Sequence, residues 1–320
     1  MNLKRKIILI IISLFFIIQT RCFASDINIA FTIDNNYYIY TMLAINSILK
    51  NHTSDTTYNF YIVESDLSDK NKAKMKKYVE DNGQKIEFIN VNPDVIVRGE
   101  DFFASEYLGG RISSMGMVRI LLPELLPESV HRVLYLDGDI LVTADLSELY
   151  NFDLKENSTG MTKRKFDVVK EPGYNSGVIL MDIDKWRKEK ISKQMLDYIN
   201  NNFEKFLCTD KKEAVHRFAD QDLINLILYK KITTLPPNWN YYTGPETEDI
   251  PDFKGIYHYC NKVKPWLFPK LATKIYYVYY KYWNESPFRK YKYYCSLKII
   301  KSRYVKNLIG FAKYLKIQKN

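Results

Sequence analysis

Between Asn28 and Val91 the chain alternates strand-like apolar runs with helical ones, and this rhythm restricts the fold more than any other feature. Asn28–Ile33 reads as a strand that ends in the polar cluster Asp34-Asn35-Asn36. Tyr38–Lys50 reads as a helix, with Leu43, Ile45, Ile48 and Leu49 supplying its apolar surface. Tyr58–Val63 is a second strand, Ser68 is placed to cap a helix over Lys70–Asn82, and Lys85–Val91 is a third strand. Strand, helix, strand, helix, strand is the pattern of an α/β fold with a parallel sheet. Further along, Ser114–Leu122 reads as a helix that stops near Pro123. Arg132–Leu136 reads as a strand continued by Ile140–Val142, and Asn175–Asp182 contains another. Lys185–Asn200 and Asp220–Leu228 read as helices, and Ile256–Tyr259 as a short last strand.

The stretch Leu134-Tyr135-Leu136-Asp137-Gly138-Asp139-Ile140-Leu141-Val142 sets two carboxylates, one residue apart, between two apolar runs. In extended backbone, residues two apart share a face, and Gly138 leaves room for close approach. Two converging anionic oxygens suit a hard divalent cation, Mn²⁺ or Mg²⁺, that in turn holds phosphate oxygens. The competing reading is an Asp-Gly turn with both acids solvated. Ligands of open α/β sheets sit outside the carboxyl ends of the strands. The polar residues at strand ends are Asp34, Asn36, Asp137, Asp139, Asn175 and His258. Taken singly, His258 has the plainer role of a hydrogen-bonded surface histidine; elsewhere in the chain Arg119 reads as pairing with Glu124, Asp220 as a helix cap and Gln221 as a solvated side chain.

The chain has 320 residues, long enough for one large domain, and a net charge of +10 that is unevenly spread. From Lys262 to the end there are 15 Lys and Arg against one acid, Glu285, so a tail of charge +14 follows a body of charge −4. The division predicted is a leader over residues 1–25, a domain over 26–269 and a basic aromatic tail over 270–320. In the leader, Lys4-Arg5-Lys6 precedes the apolar run Ile7–Ile18, too short to span a bilayer and in keeping with a signal peptide or shallow anchor. The tail interleaves Tyr276, Tyr277, Tyr279, Tyr280, Tyr282, Trp283, Tyr291, Tyr293 and Tyr294 with cations, which suits an anionic membrane surface; nucleic acid is the disfavoured partner. Cys22, Cys208, Cys260 and Cys295 have no metal-type or disulfide spacing and are expected to be free thiols, Cys260 as a small buried residue.

Six segments, in order, resemble the retaining nucleotide-sugar glycosyltransferases of family 8, a GT-A fold group that includes lipopolysaccharide galactosyl- and glucosyltransferases. They are Ala30–Tyr37, Met117–Arg119 with Leu121–Pro127, Tyr135–Asp139, Tyr174–Val178, Asp220–Asp222 and His258–Trp266. The resemblance implies a Rossmann-like mixed sheet flanked by helices, and Mn²⁺ or Mg²⁺ held by Asp137, Asp139 and His258. It implies a uridine pocket of Thr32, Asp34, Asn36 and Tyr37, with Gly138 against the nucleotide and Lys264 on the diphosphate. Arg119, Asn175, Ser176, Asp220 and Gln221 would surround the donor sugar, the last two as catalytic residues. Two departures stand out. Asn261 occupies a position where the family usually has Gly, and the basic run Lys163-Arg164-Lys165 falls where family members often carry an acid. The implied reaction moves galactose or glucose from a UDP-sugar to a glycan acceptor, such as a lipid-linked oligosaccharide of the lipopolysaccharide core. The implied place is the cytoplasmic face of the inner membrane, or a secreted or lumenal one if residues 1–25 are removed. The rival reading is a peripheral membrane or nucleic-acid-binding protein that acts through its tail and has a vestigial transferase site.

Overall fold

The computed structural model describes residues 26–53, 56–92, 114–164, 173–202, 220–243, 247, 249–261, 264–266 and 274–291. Its elements in chain order are β1 (Ile27–Ile33), α1 (Tyr38–Lys50), β2 (Tyr58–Glu64), α2 (Asp69–Asp81), β3 (Lys85–Asn90), α3 (Ser114–Val118), α4 (Leu122–Leu125), β4 (Arg132–Leu136), β5 (Ile140–Val142) and α5 (Ser147–Tyr150). There follow β6 (Thr159–Lys163), β7 (Tyr174–Asp182), α6 (Ile183–Glu189), α7 (Ile191–Asn201), α8 (Asp220–Ile227), β8 (Ile232–Thr234), β9 (Tyr241–Tyr242), β10 (Ile256–His258) and α9 (Lys274–Glu285). Short 3₁₀ turns cover Arg119–Leu121, Pro237–Asn240 and Arg289–Tyr291. The predicted leader with Cys22, the last part of the tail with Cys295, the thiol of Cys208 and the basic run from residue 165 onward lie outside the described residues.

Seven strands form one sheet in the order β3-β2-β1-β4-β7-β6-β8, and β5-β10-β9 form a second, smaller one. β1 runs parallel to β2 and β4, and β2 parallel to β3, whereas β7 is antiparallel to both β4 and β6. The result is the predicted mixed α/β sheet. Alternation places β1 between two apolar layers. Ile29 and Phe31 join α1 and α9 on one face, while Ala30 joins α6, α7 and α8 on the other.

Several local readings need correction. The helical path does not stop at Pro123; the proline sits in the first turn of α4, where its missing N–H costs no helical hydrogen bond. The helix read over Lys185–Asn200 is two helices broken at Lys190, whose φ of 53° is left-handed. Ile140–Val142 does not prolong β4 but leaves for the second sheet, where it pairs with β10. β6, β8 and β9 were not foreseen, because their sequences carry no apolar alternation. Among the described residues the non-glycine ones with positive φ are Lys155, Lys190 and Lys230, and Asn261 is not one of them, so no left-handed turn is needed there. In the tail, Tyr276, Tyr279 and Trp283 of α9 are buried against the domain, with Trp283 near Tyr40 and Tyr279 beside Tyr259 and Trp266. No helix among the described residues is long and apolar enough to cross a membrane.

Candidate active site

Asp137-Gly138-Asp139 is a turn, as the plainer reading had it, yet its two carboxylates converge. It joins β4 of the large sheet to β5 of the small one, so both acids lie where the sheets meet. α1 presses on this turn from the other side. A Cβ at Gly138 would come within 2.6 Å of Thr41 Oγ1 and 3.3 Å of Tyr37 Cδ1, so only glycine fits beneath the helix. β10 then delivers His258 across the gap, because its last residue pairs with Ile140.

One ligand atom each from Asp137, Asp139 and His258 lies within 4.8 Å of the others. His258 Nε2 is 3.2 Å from Asp139 Oδ1 and 3.6 Å from Asp137 Oδ2. The imidazole is 2 % exposed, and its Nδ1 lies 2.8 Å from Asn240 Oδ1. Nε2 itself is buried with no hydrogen-bond partner. A buried, unpartnered ring nitrogen facing two carboxylates is costly unless something positive sits among them. An imidazole and two carboxylates are a donor set that Mn²⁺ or Mg²⁺ accepts, so these residues fit the implied cation.

A cation already stands at the edge of this cluster. Lys264 Nζ donates to Asp139 Oδ2 at 2.5 Å and to the Tyr259 carbonyl at 2.6 Å. Burial works to raise the Asp139 pKa, but Lys264 and His258 outweigh it and hold the carboxyl well below the usual range. Burial would likewise lower the Lys264 pKa, and the adjoining Asp139 carboxylate raises it instead, so the ammonium stays charged. Tyr37 is pushed up to about 12 by burial, Lys264 pulling down and Asp139 up, so its phenol stays protonated at neutral pH.

A second network backs the acids. Arg119 Nη1 is 3.1 Å from Asp137 Oδ1, and its Nε is 3.2 Å from Asp220 Oδ2. The guanidinium also donates to the Ser176 carbonyl at 2.7 Å and lies 4.6 Å from the centre of the Tyr135 ring. Burial opposes its charge, but Asp137 and Asp220 keep it fixed. Tyr135 OH donates to Asp137 Oδ1 at 2.6 Å and lies 3.1 Å from Thr32 Oγ1. Asp220 accepts from Ser176 Oγ at 2.9 Å, and its pKa is pushed up to about 6, by burial first and by Asp137, with Arg119 pulling down. Gln221 is buried; its Oε1 accepts from Asn175 Nδ2 at 3.0 Å and from the Ser176 N–H at 3.2 Å.

The predicted site residues therefore gather in two linked groups. Asp137, Asp139, His258 and Lys264 form one, and Arg119, Asn175, Ser176, Asp220 and Gln221 form the other. Arg119 pairs with Asp137 and Asp220 rather than with Glu124, and Gln221 is buried, not solvated. Thr32 reaches the group through Tyr135. Asp34 caps the turn before α1, accepting from the Asn36 and Tyr37 N–H groups at 2.9 Å each. The Asn36 side chain is exposed. Cys260 is partly buried, with burial first raising its thiol pKa to about 12, which keeps it protonated. Sequence reasoning missed Asn240 and Tyr135 as members and the steric role of Gly177. Asn240 follows Pro236-Pro237 in what reads as a plain loop, and Tyr135 reads as an ordinary strand residue.

Two acids, a histidine and a lysine thus meet beyond the carboxyl end of β4, where open α/β sheets bind their ligands. The sequence model of Glycosyl transferase family 8 matches residues 28–269. The chain belongs to that family and is a glycosyltransferase. "General stress protein A" of Bacillus subtilis is 26 % identical over 280 residues, a match covering 78 % of this chain and 92 % of that one. "Lipopolysaccharide 1,2-glucosyltransferase" of Escherichia coli is 24 % identical over 263 residues, covering 75 % of this chain and 72 % of that one. The crystal structure of the galactosyltransferase LgtC with donor and acceptor sugar analogues has a TM-score of 0.64 at 23 % identity, over 82 % of this chain and 96 % of that one. At that identity the likeness speaks to the fold, which is GT-A. Enzymes of this family take a sugar-nucleotide donor and a glycan acceptor. The rival reading of a tail-borne binding protein gains no support from these comparisons.

Proposed function

We propose that this enzyme moves galactose or glucose from a UDP-sugar to a glycan acceptor with retention of the anomeric configuration. The observation that carries the reading is His258 Nε2, buried and unpartnered, facing Asp137 and Asp139 beside a charged Lys264. Asp137, Asp139 and His258 would hold Mn²⁺ or Mg²⁺, which when bound supplies positive charge to the diphosphate oxygens. Lys264 adds a second positive charge aimed at the same leaving group, and charge placed in advance where it develops lowers the barrier. Thr32, Asp34, Asn36, Tyr37 and Gly138 form the nucleoside side. Arg119, Asn175, Ser176, Asp220 and Gln221 face the sugar, and Asp220 and Gln221 bear on the reacting carbon. As the sugar gains oxocarbenium character, the Asp137 and Asp220 carboxylates supply negative charge nearby, while Arg119 keeps both in place.

The similarity to a lipopolysaccharide glucosyltransferase supports a lipid-linked oligosaccharide as acceptor. That acceptor agrees with a protein held at the cytoplasmic face of the inner membrane, its basic C-terminal residues against anionic lipid. The test is turnover of UDP-galactose and UDP-glucose with Mn²⁺, with chelator and with Asp139→Asn, the anomer of the product being read by NMR. The expected result is metal-dependent release of UDP, lost in Asp139→Asn, and a retained anomer. Turnover indifferent to both chelator and Asp139→Asn, or an inverted product, overturns the reading.

A further inference from the structure

Three side-chain amides run from the imidazole to the sugar-side network, and their polarity can be read from fixed points. Asn175 Oδ1 accepts the backbone N–H of Gly177 at 3.0 Å, and a backbone N–H can only donate, so the oxygen of Asn175 must face that way. The same oxygen lies 2.8 Å from Asn240 Nδ2, which therefore has to be the amide nitrogen. The carbonyl of Asn240 is then the atom turned to His258 Nδ1, at 2.8 Å. A carbonyl only accepts, so Nδ1 must carry the hydrogen. At the far end Asn175 Nδ2 donates to Gln221 Oε1 at 3.0 Å, and the Ser176 N–H fixes the same oxygen independently at 3.2 Å. Two backbone N–H groups thus determine the orientation of three amides and one imidazole, with no freedom left for a flip.

We infer that Asn240 is the positioning residue of this site. It keeps a hydrogen on His258 Nδ1, so that Nε2 is the ring nitrogen turned to Asp137 and Asp139 and open to a cation, and it ties that ring to Asn175 and Gln221. The inference rests on the reading of Asp137, Asp139 and His258 as a cation site, and it goes beyond that reading by assigning the residue that makes the ring a ligand. A metal-binding histidine needs its distal N–H engaged, and loss of such a partner typically costs 10- to 100-fold in affinity. The chain has a further consequence at Gln221. With its carbonyl taken by two donors, the amide nitrogen is the end of that side chain left without a protein partner among the described residues.

The experiment uses the full chain without donor or acceptor. Free Mn²⁺ is counted by electron paramagnetic resonance during titration of the wild type and Asn240→Ala. In parallel, ¹⁵N-histidine NMR of the metal-free wild type reports which ring nitrogen of His258 bears hydrogen; the chain has four histidines, so His258→Gln suffices to assign the signal. The expected results are a Kd for Mn²⁺ raised about 10- to 100-fold in Asn240→Ala and a hydrogen on Nδ1 of the His258 ring. Equal affinity in wild type and Asn240→Ala, or a His258 ring with hydrogen on Nε2 alone, overturns the inference. A wild type that binds no Mn²⁺ would instead bring down the underlying reading of the cation site, so the two failures are distinct. The NMR measurement needs no change at Asn240 and stands even if Asn240→Ala fails to fold.

Discussion

Gly177→Ala is the substitution whose effect the site geometry sets most tightly. Gly177 lies in β7, and a Cβ there would stand 2.0 Å from His258 Cε1, 2.7 Å from His258 Nδ1 and 2.9 Å from Asp137 Oδ2. An ordinary carbon–carbon contact needs roughly 3.5–4.0 Å, so either the imidazole or the strand must retreat by about 1.5 Å. The Gly177 carbonyl accepts from the Asp137 N–H at 2.8 Å and its own N–H donates to Asn175 Oδ1 at 3.0 Å, although the pairing with β6 bulges here, so the ring is the part expected to yield. Overpacking of this kind costs about 1–3 kcal/mol in a packed interior. The functional loss should be larger than the stability loss. Metal sites tolerate only about 0.2 Å in ligand distance, and a displacement of about 1 Å can cost on the order of 100-fold in rate. We therefore expect a modest fall in Tm together with a loss of about two orders of magnitude in Mn²⁺ affinity and in UDP-sugar turnover. The assay is thermal unfolding, Mn²⁺ titration and UDP release on the same preparations. A double-mutant cycle isolates the cause: in a His258→Ala background most of the stability cost of Gly177→Ala should vanish, because the ring that the added methyl strikes is gone. Wild-type Mn²⁺ affinity in Gly177→Ala, or a cost that persists unchanged in the His258→Ala background, would refute the reasoning.

Two further outcomes are expected. Asp220 has its pKa pushed up to about 6, by burial first, against about 3.9 in an unfolded chain, so folding favours its protonated form. Its contribution to stability is thus fully present below about pH 4 and is lost as pH rises through about 6, a total of about 3 kcal/mol. Urea unfolding of wild type and Asp220→Asn between pH 4 and 7 should show a difference that changes over this window and is flat above it; a difference independent of pH contradicts the shift. Trp283→Ala should lower stability by about 3–5 kcal/mol, since this ring is 2 % exposed and packs near Tyr40 and Tyr279, and a change below about 1 kcal/mol would show α9 to be dispensable to the domain.

Much of the fold was legible because local signals and tertiary demands agree. β1, α1 and β2 fall within a residue of their predicted bounds, and Ser68 caps α2 as expected, its hydroxyl accepting from the Asn71 N–H at 3.4 Å. The break at Lys190 carried no Gly or Pro signal, and β6 and β8 are strands only because neighbours offer them an edge to pair with. In the site, Asp137, Asp139, His258 and Lys264 could be collected from motifs and strand ends. Asn240, Tyr135 and the demand for a glycine at 177 could not, since each depends on where a distant element approaches. Asn240 matters only because β10 places His258 beside it, and Tyr135 only because Asp137 folds back over its hydroxyl.

The most direct test of the account is diffraction from crystals grown with Mn²⁺ and UDP, recorded at the manganese absorption edge. One strong anomalous peak is expected, coordinated by Asp137, Asp139 and His258 Nε2, with Lys264 released from Asp139 onto the diphosphate. A peak away from these three side chains, or UDP bound with no manganese beside it and Lys264 still on Asp139, would contradict it.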